Sequence, residues 1–339
     1  MRKVALVAGL LMVMGLVGCG KTEAPGLGAG LGNSVTVAAP AGKHFVIGMS
    51  QCNLGEPWRV QMNADIKAAA EKHPEITMKW SDASNKTETQ QAQVREFISQ
   101  GVDLIIISPK EAQPLTAPVA EAIEAKIPVI VLDRKIEGDK FTCFIGGDNE
   151  LIGREAGKEM IKLLGGKGNV VELAGLKTST PAGERAKGFR EGIEGSGIKI
   201  IATADCQWLE TNAQHEMSSM LSKYDNIDAV YGHNDPSAHG AYLAAQQEGK
   251  GREKKIKFLG IDGIEKEGVK YVADGILSAT FRYPTGGDEA IETALEILRG
   301  ETVPKTITLG TRLFTAENVK AGGEEIAAPA AAPAAAPKM

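Results

Sequence analysis

From residue 44 to about residue 309, short apolar runs alternate with amphipathic stretches in unbroken order, and that alternation narrows the fold more than anything else in the chain. The segments 45–49, 76–80, 104–107 and 127–132 read as strands, and 58–72, 87–99 and 114–125 between them carry helical spacing. Runs rich in Val and Ile, such as 127–132, are strands buried on both faces. Strands that alternate with helices through short turns build a parallel sheet covered on both sides. The segment 141–146 continues that sheet or crosses out of it. From Asn149 the alternation restarts, with helices at 152–164, 181–192, 211–223 and 235–248 and strands at 170–174, 198–204, 229–231 and 256–261. At 339 residues the chain exceeds one ordinary core. The expected fold is α/β, two doubly wound parallel-sheet lobes. The strand 277–281 and helix 284–299 are expected to return to the first lobe. The lobes are then 44–147 with 276–304 and 148–275 with 305–325, joined by several crossings that act as a hinge.

The ends read differently. Met1-Arg2-Lys3 is a basic start, 4–17 an apolar run too short for a comfortable membrane span, and Leu16-Val17-Gly18-Cys19 closes it on small residues. Residues 1–19 therefore read as a secretory signal. Leu-Val-Gly-Cys resembles a bacterial lipobox, which implies a mature chain starting at a lipidated Cys19, anchored to the membrane in the periplasm or at the cell surface and otherwise soluble. Residues 20–43 are a Gly, Ala and Pro-rich linker, and 326–339 an Ala-Pro tail that cannot bury a core. Beyond Cys19 remain Cys52, Cys143 and Cys206, an odd and widely spaced set that reads as small buried hydrophobes, with no metal motif. A net charge of -5 gives no electrostatic reason to expect nucleic acid.

Parallel sheets present ligands at their strand C-termini, so polar and aromatic residues following each strand are the candidates. In the first half these are Gln51, Asn53, Trp58 and Arg59 after the first strand, and Asp133 and Arg134 after the fourth. In the second half they are Arg185, Trp208, Asn234 and Asp262, with Arg282 after the late strand. Indole offers a flat apolar face to a sugar ring, while Asp, Arg and Asn match hydroxyls that donate and accept. Each could also be a cap or a surface charge, Asn234 before Asp235-Pro236 in particular.

Several ordered motifs, Phe45 to Gln51, Glu56-Pro57-Trp58-Arg59, Gln100 to Asp103, Pro128 to Arg134, Glu184 to Phe189, His233-Asn234-Asp235 and Gly260 to Gly263, resemble the type I periplasmic sugar-binding proteins of ABC transporters. Within that ribose-binding-like group the likeness is strongest to the galactofuranose-binding subgroup. The resemblance implies two lobes with three crossovers, a monosaccharide (pentose, hexose or furanose form) in the cleft, no cofactor, a monomer, and delivery to a membrane permease. It implies a stacking role for Trp58 and hydrogen-bonding roles for Arg59, Asp133, Arg134, Arg185, Asn234 and Asp262. Trp208 stands where the family usually has Phe. Arg282 stands near where relatives have Gln or Glu, and if it lined the cleft the surplus positive charge would suit a sugar acid. Otherwise it pairs at the rim with Glu56 or Glu210.

Other classes find less support. His233 with Asp235 or Asp262 is the nearest catalytic pair and His233 with His239 the nearest metal pair, and neither has a third member. A repressor effector domain would need a DNA-binding headpiece where the signal stands. A sugar sensor presenting its ligand to a membrane kinase or chemoreceptor uses the same closed lobes, so the sequence does not separate it from transport.

Overall fold

A computed structural model describes residues 43–327. The first half runs β1 (Phe45–Gln51), α1 (Pro57–Ala70), β2 (Ile76–Asp82), α2 (Thr87–Ser99), β3 (Leu104–Ser108), α3 (Ala112–Glu124), β4 (Val129–Leu132) and β5 (Cys143–Gly147). The second runs α4 (Asn149–Leu164), β6 (Lys167–Ala174), α5 (Thr180–Gly192), β7 (Gly197–Asp205), α6 (Glu210–Lys223), β8 (Ala229–Gly232), α7 (Asp235–Gln247) and β9 (Lys257–Asp262). Then follow α8 (Lys270–Ala273), β10 (Ala279–Arg282), α9 (Gly287–Leu298), β11 (Thr306–Leu309), β12 (Thr311–Thr315) and β13 (Glu324–Ile326).

Two sheets form, in the orders β11-β5-β4-β3-β1-β2 and β13-β12-β10-β9-β8-β6-β7. The first is parallel throughout; in the second, β12 and β13 close the edge antiparallel. Helices cover both, and the chain adopts the two-lobed type I periplasmic binding protein fold. Strands β3, β4 and β5 are buried along their whole length, the reason their sequences show no polar alternation. Cys52, Cys143 and Cys206 are free and buried.

The late elements divide differently from the expectation. Strand β10, expected in the first lobe, pairs with β9 in the second sheet, because the short α8 connection leaves it beside the strand it follows and places Ala279 and Phe281 in the same core as Leu259 and Ile261. Strand β11, expected in the second lobe, is the edge of the first sheet beside β5. Helix α9 returns to the first lobe, with its N-terminal Gly287 against Asp65 and Ile66 of α1. The chain thus passes between lobes after β5, between β10 and α9, and at Gly310 between β11 and β12.

Candidate functional site

The C-terminal ends of both sheets face one another, and a cavity of about 20 Å³ lies between them. Its wall is Glu56, Trp58, Arg59, Asp133 and Arg134 from the first lobe, Pro181, Arg185, Trp208, Asn234 and Asp262 from the second, and Tyr283 from the crossing after β10.

Each side chain is delivered by a strand end or a helix start. Pro57 opens α1 and sets Trp58 and Arg59 in its first turn. Arg59 donates from Nη2 to Asp133 Oδ2 (2.8 Å) and from Nη1 to Ser108 Oγ (2.8 Å) and Gln51 Oε1 (2.9 Å). Burial opposes its charge, and the surrounding Cys52, Asp133 and Glu56 more than restore it. Arg134 donates to the Lys110 carbonyl (3.0 Å), lies 3.8 Å from Asp133 and 3.9 Å from Glu56, and covers the Trp208 ring at 5.4 Å. That last contact joins the lobes. Trp58 Nε1 donates to the Tyr283 carbonyl (2.7 Å).

Across the cleft, Arg185 donates from Nε to Asn149 Oδ1 (2.9 Å) and from Nη1 to the His233 carbonyl, and it lies over both Trp208 (5.4 Å) and Tyr283 (4.6 Å). Trp208 is therefore flanked by one guanidinium from each lobe. Its indole N–H has no hydrogen-bond partner among the described residues. Asn234 is a true N-cap, its Oδ1 accepting from Ser237 N (3.1 Å), while its Nδ2 donates to the Trp208 carbonyl (3.0 Å). Asp133, Trp208 and Asp262 hold φ angles of 71°, 70° and 139°. Burial, then the nearby Asp235 charge, pushes the Asp262 carboxyl well above the usual range.

Eight of the candidates read from the sequence meet here: Trp58, Arg59, Asp133, Arg134, Arg185, Trp208, Asn234 and Asp262. Three do not. Gln51 lies one layer behind, donating to Asn63 (3.0 Å) and bracing Arg59. Asn53 donates to Glu56 (2.8 Å) and positions that carboxylate without lining the cavity. Arg282 faces the hinge-side groove, where it pairs with Glu265 (2.5 Å), not with Glu56 or Glu210, and stacks on Phe314. Its place at the end of β10 turns it away. The cavity then has three guanidiniums, Arg59, Arg134 and Arg185, against three carboxyl groups, Glu56, Asp133 and Asp262. Tyr283, which follows the late strand beside Arg282 and is reached by the strand-end rule, also lines the cavity. Glu56 and Pro181 line it without being candidates from the sequence, although Glu56 follows the first strand just as Trp58 and Arg59 do.

Compared with known proteins, residues 47–302 match the periplasmic binding protein domain. The chain belongs to the periplasmic binding protein family. Relatives in the family include the ribose import binding protein of Bacillus subtilis (strain 168), 30% identical over 80% of this chain and 88% of the relative. The galactofuranose-binding protein of Escherichia coli (strain K12) is 34% identical over 82% and 88%. Among solved structures, the fructose-binding periplasmic domain of a hybrid two-component system is 42% identical with a TM-score of 0.79, covering 82% of this chain and 93% of that one. The binding-protein component of the arabinose ABC transporter from Shewanella sp. ANA-3 is 31% identical with a TM-score of 0.78, over 82% and 94%. The resemblance to the ribose- and galactofuranose-binding group is borne out.

Proposed function

We propose that this protein captures a neutral monosaccharide in furanose form between its lobes and hands it to an ABC permease. The observation that carries the reading is the cavity to which each lobe contributes one indole, and in which three guanidiniums face three carboxyls. Indole faces suit the apolar face of a sugar ring, and paired Arg and Asp keep each charge satisfied while still meeting hydroxyls. With Arg282 outside, the case for a sugar acid loses its surplus charge. The ring form is supported by relatives whose names carry galactofuranose and arabinofuranose. A calorimetric titration with D-fructose, L-arabinose, D-ribose and D-galacturonate tests it: one or more neutral sugars bind, and galacturonate does not. Tight binding of galacturonate alone would overturn the neutral assignment.

A cavity of about 20 Å³ has room for about one water and not for a monosaccharide, so the ligand enters with the lobes parted and is enclosed as they meet. The 42% identity to a two-component sensor domain favours a second reading, presentation of the closed form to a membrane sensor. Deleting a neighbouring permease gene separates the two: uptake stops under the first reading and persists under the second. The lipobox lies outside the described residues; lipid attachment at Cys19 is proposed from the sequence alone, and Cys19→Ala is expected to abolish labelling by radioactive palmitate.

A further inference from the structure

Asp235 is completely buried in the first turn of α7 and contributes nothing to the cavity wall. Its Oδ2 accepts from the Gly263 N–H (2.8 Å) and its Oδ1 from the Thr280 hydroxyl (2.5 Å), so one carboxyl ties α7 to the turn after β9 and to β10. The surrounding chain makes room for it. A Cβ on Gly260 would stand 2.2 Å from Oδ1, and one on Gly268 would stand 1.8 Å from Oδ2. The turn held in this way carries Asp262 at φ 139° and Gly263 at φ 60°. Asp262 projects to the cavity, yet the ion pairs of the site join Arg59 and Arg134 to Asp133 and Glu56 and leave Asp262 without a guanidinium partner among the described residues.

We propose that Asp235 is a positioning residue for the ligand: its two hydrogen bonds fix the Asp262–Gly263 turn and so hold the Asp262 carboxyl where a ligand hydroxyl meets it. This rests on the sugar-binding reading above. The charged groups facing the pair are Glu267 from the π-helical turn Glu265–Val269, Arg185 from α5, and Glu56, Arg59, Asp133 and Arg134 from the first lobe across the cavity. Burial lifts Asp235 to about 7 against its two hydrogen bonds, and burial with the Asp235 charge raises Asp262.

Calorimetric titration of D-fructose, or of whichever sugar in the panel binds, with the wild type, Asp235→Asn, Asp262→Asn and the double variant tests it. Asp235→Asn is expected to weaken binding by about tenfold in the wild-type background and by clearly less when Asp262 is already Asn, because its effect runs through Asp262. No weakening in the wild-type background, or equal weakening in both backgrounds, overturns the proposal. If Asp235→Asn does not fold, Thr280→Val, which removes one of the two hydrogen bonds that hold the turn, takes its place in the same cycle with the same outcomes. Absence of binding heat with every sugar tested would instead overturn the sugar reading itself.

Discussion

Asp133 holds φ 71° with its backbone N–H bonded to the Ile145 carbonyl (2.8 Å), a left-handed conformation that Asp and Asn tolerate and most residues do not. Its side chain then turns from the strand axis into the cavity to meet Arg59. Asp133→Asn keeps the backbone but leaves the buried Arg59 guanidinium without its ion-pair partner, so ligand affinity should fall by ~1.5–3 kcal/mol and the melting temperature should fall as well. Asp133→Ala adds ~1–2 kcal/mol of backbone strain and should lower both, as calorimetry and thermal melts will read. Behind Arg185, Glu172 accepts from His233, Arg190 and Thr203. Burial raises Glu172, but the hydrogen bonds from His233 and Arg190 outweigh it and hold it at about 2, while burial keeps His233 neutral. A carboxyl depressed from 4.5 contributes stability in full above that pH and loses it as pH falls through about 2. The melting temperatures of wild type and Glu172→Gln should therefore converge as pH falls from 5 toward 2.

Helices α4 and α5 set Asn149 and Arg185 against each other only because their backbones nearly touch. A Cβ on Gly188 would stand 2.1 Å from the Glu150 carbonyl oxygen. Gly188→Ala should force the pair apart, costing ~1–3 kcal/mol of stability and weakening ligand affinity through Arg185, both measurable on one preparation. Most elements were legible in the sequence because runs such as 104–107 and 127–132 are buried strands and each helix has a fixed place in the alternation. The eight wall residues were legible for the same reason, since each follows a strand or opens the next helix. What was not legible is partnership beyond nearest neighbours. Nothing in 277–281 or 306–309 says which sheet will accept the strand, because each mixes Ser or Thr with apolar residues in a way that either sheet would pair with. The direction of Arg282 was hidden for a related cause: its partner Glu265 lies in a turn whose path depends on that pairing.

At the scale of the molecule, the lobes meet along a rim as well as in the cavity. Lys135 donates from its backbone to Thr180 Oγ1 (3.0 Å) and from Nζ to Glu184 (2.6 Å), and the Ala112 N–H reaches the Thr178 carbonyl (3.4 Å). Glu184 in turn accepts from Asn149, which orients Arg185, so the rim and the cavity share one hydrogen-bonded chain. The Lys135 side chain is 45% exposed, so Lys135→Ala should lower ligand affinity by no more than ~1 kcal/mol, less at high salt. Small-angle scattering should give a smaller radius of gyration with ligand than without; an unchanged value would contradict closure. The division of β10, α9 and β11 between the lobes carries a consequence for biogenesis. The first sheet receives its last strand only at Leu309, and the helix against α1 only after residue 286, so a nascent chain cannot complete either lobe until nearly all of it has been synthesised. Pairings so distant along the chain form slowly. The polypeptide thus leaves the ribosome still unfinished, a condition suited to threading through a translocation channel before it acquires its final shape.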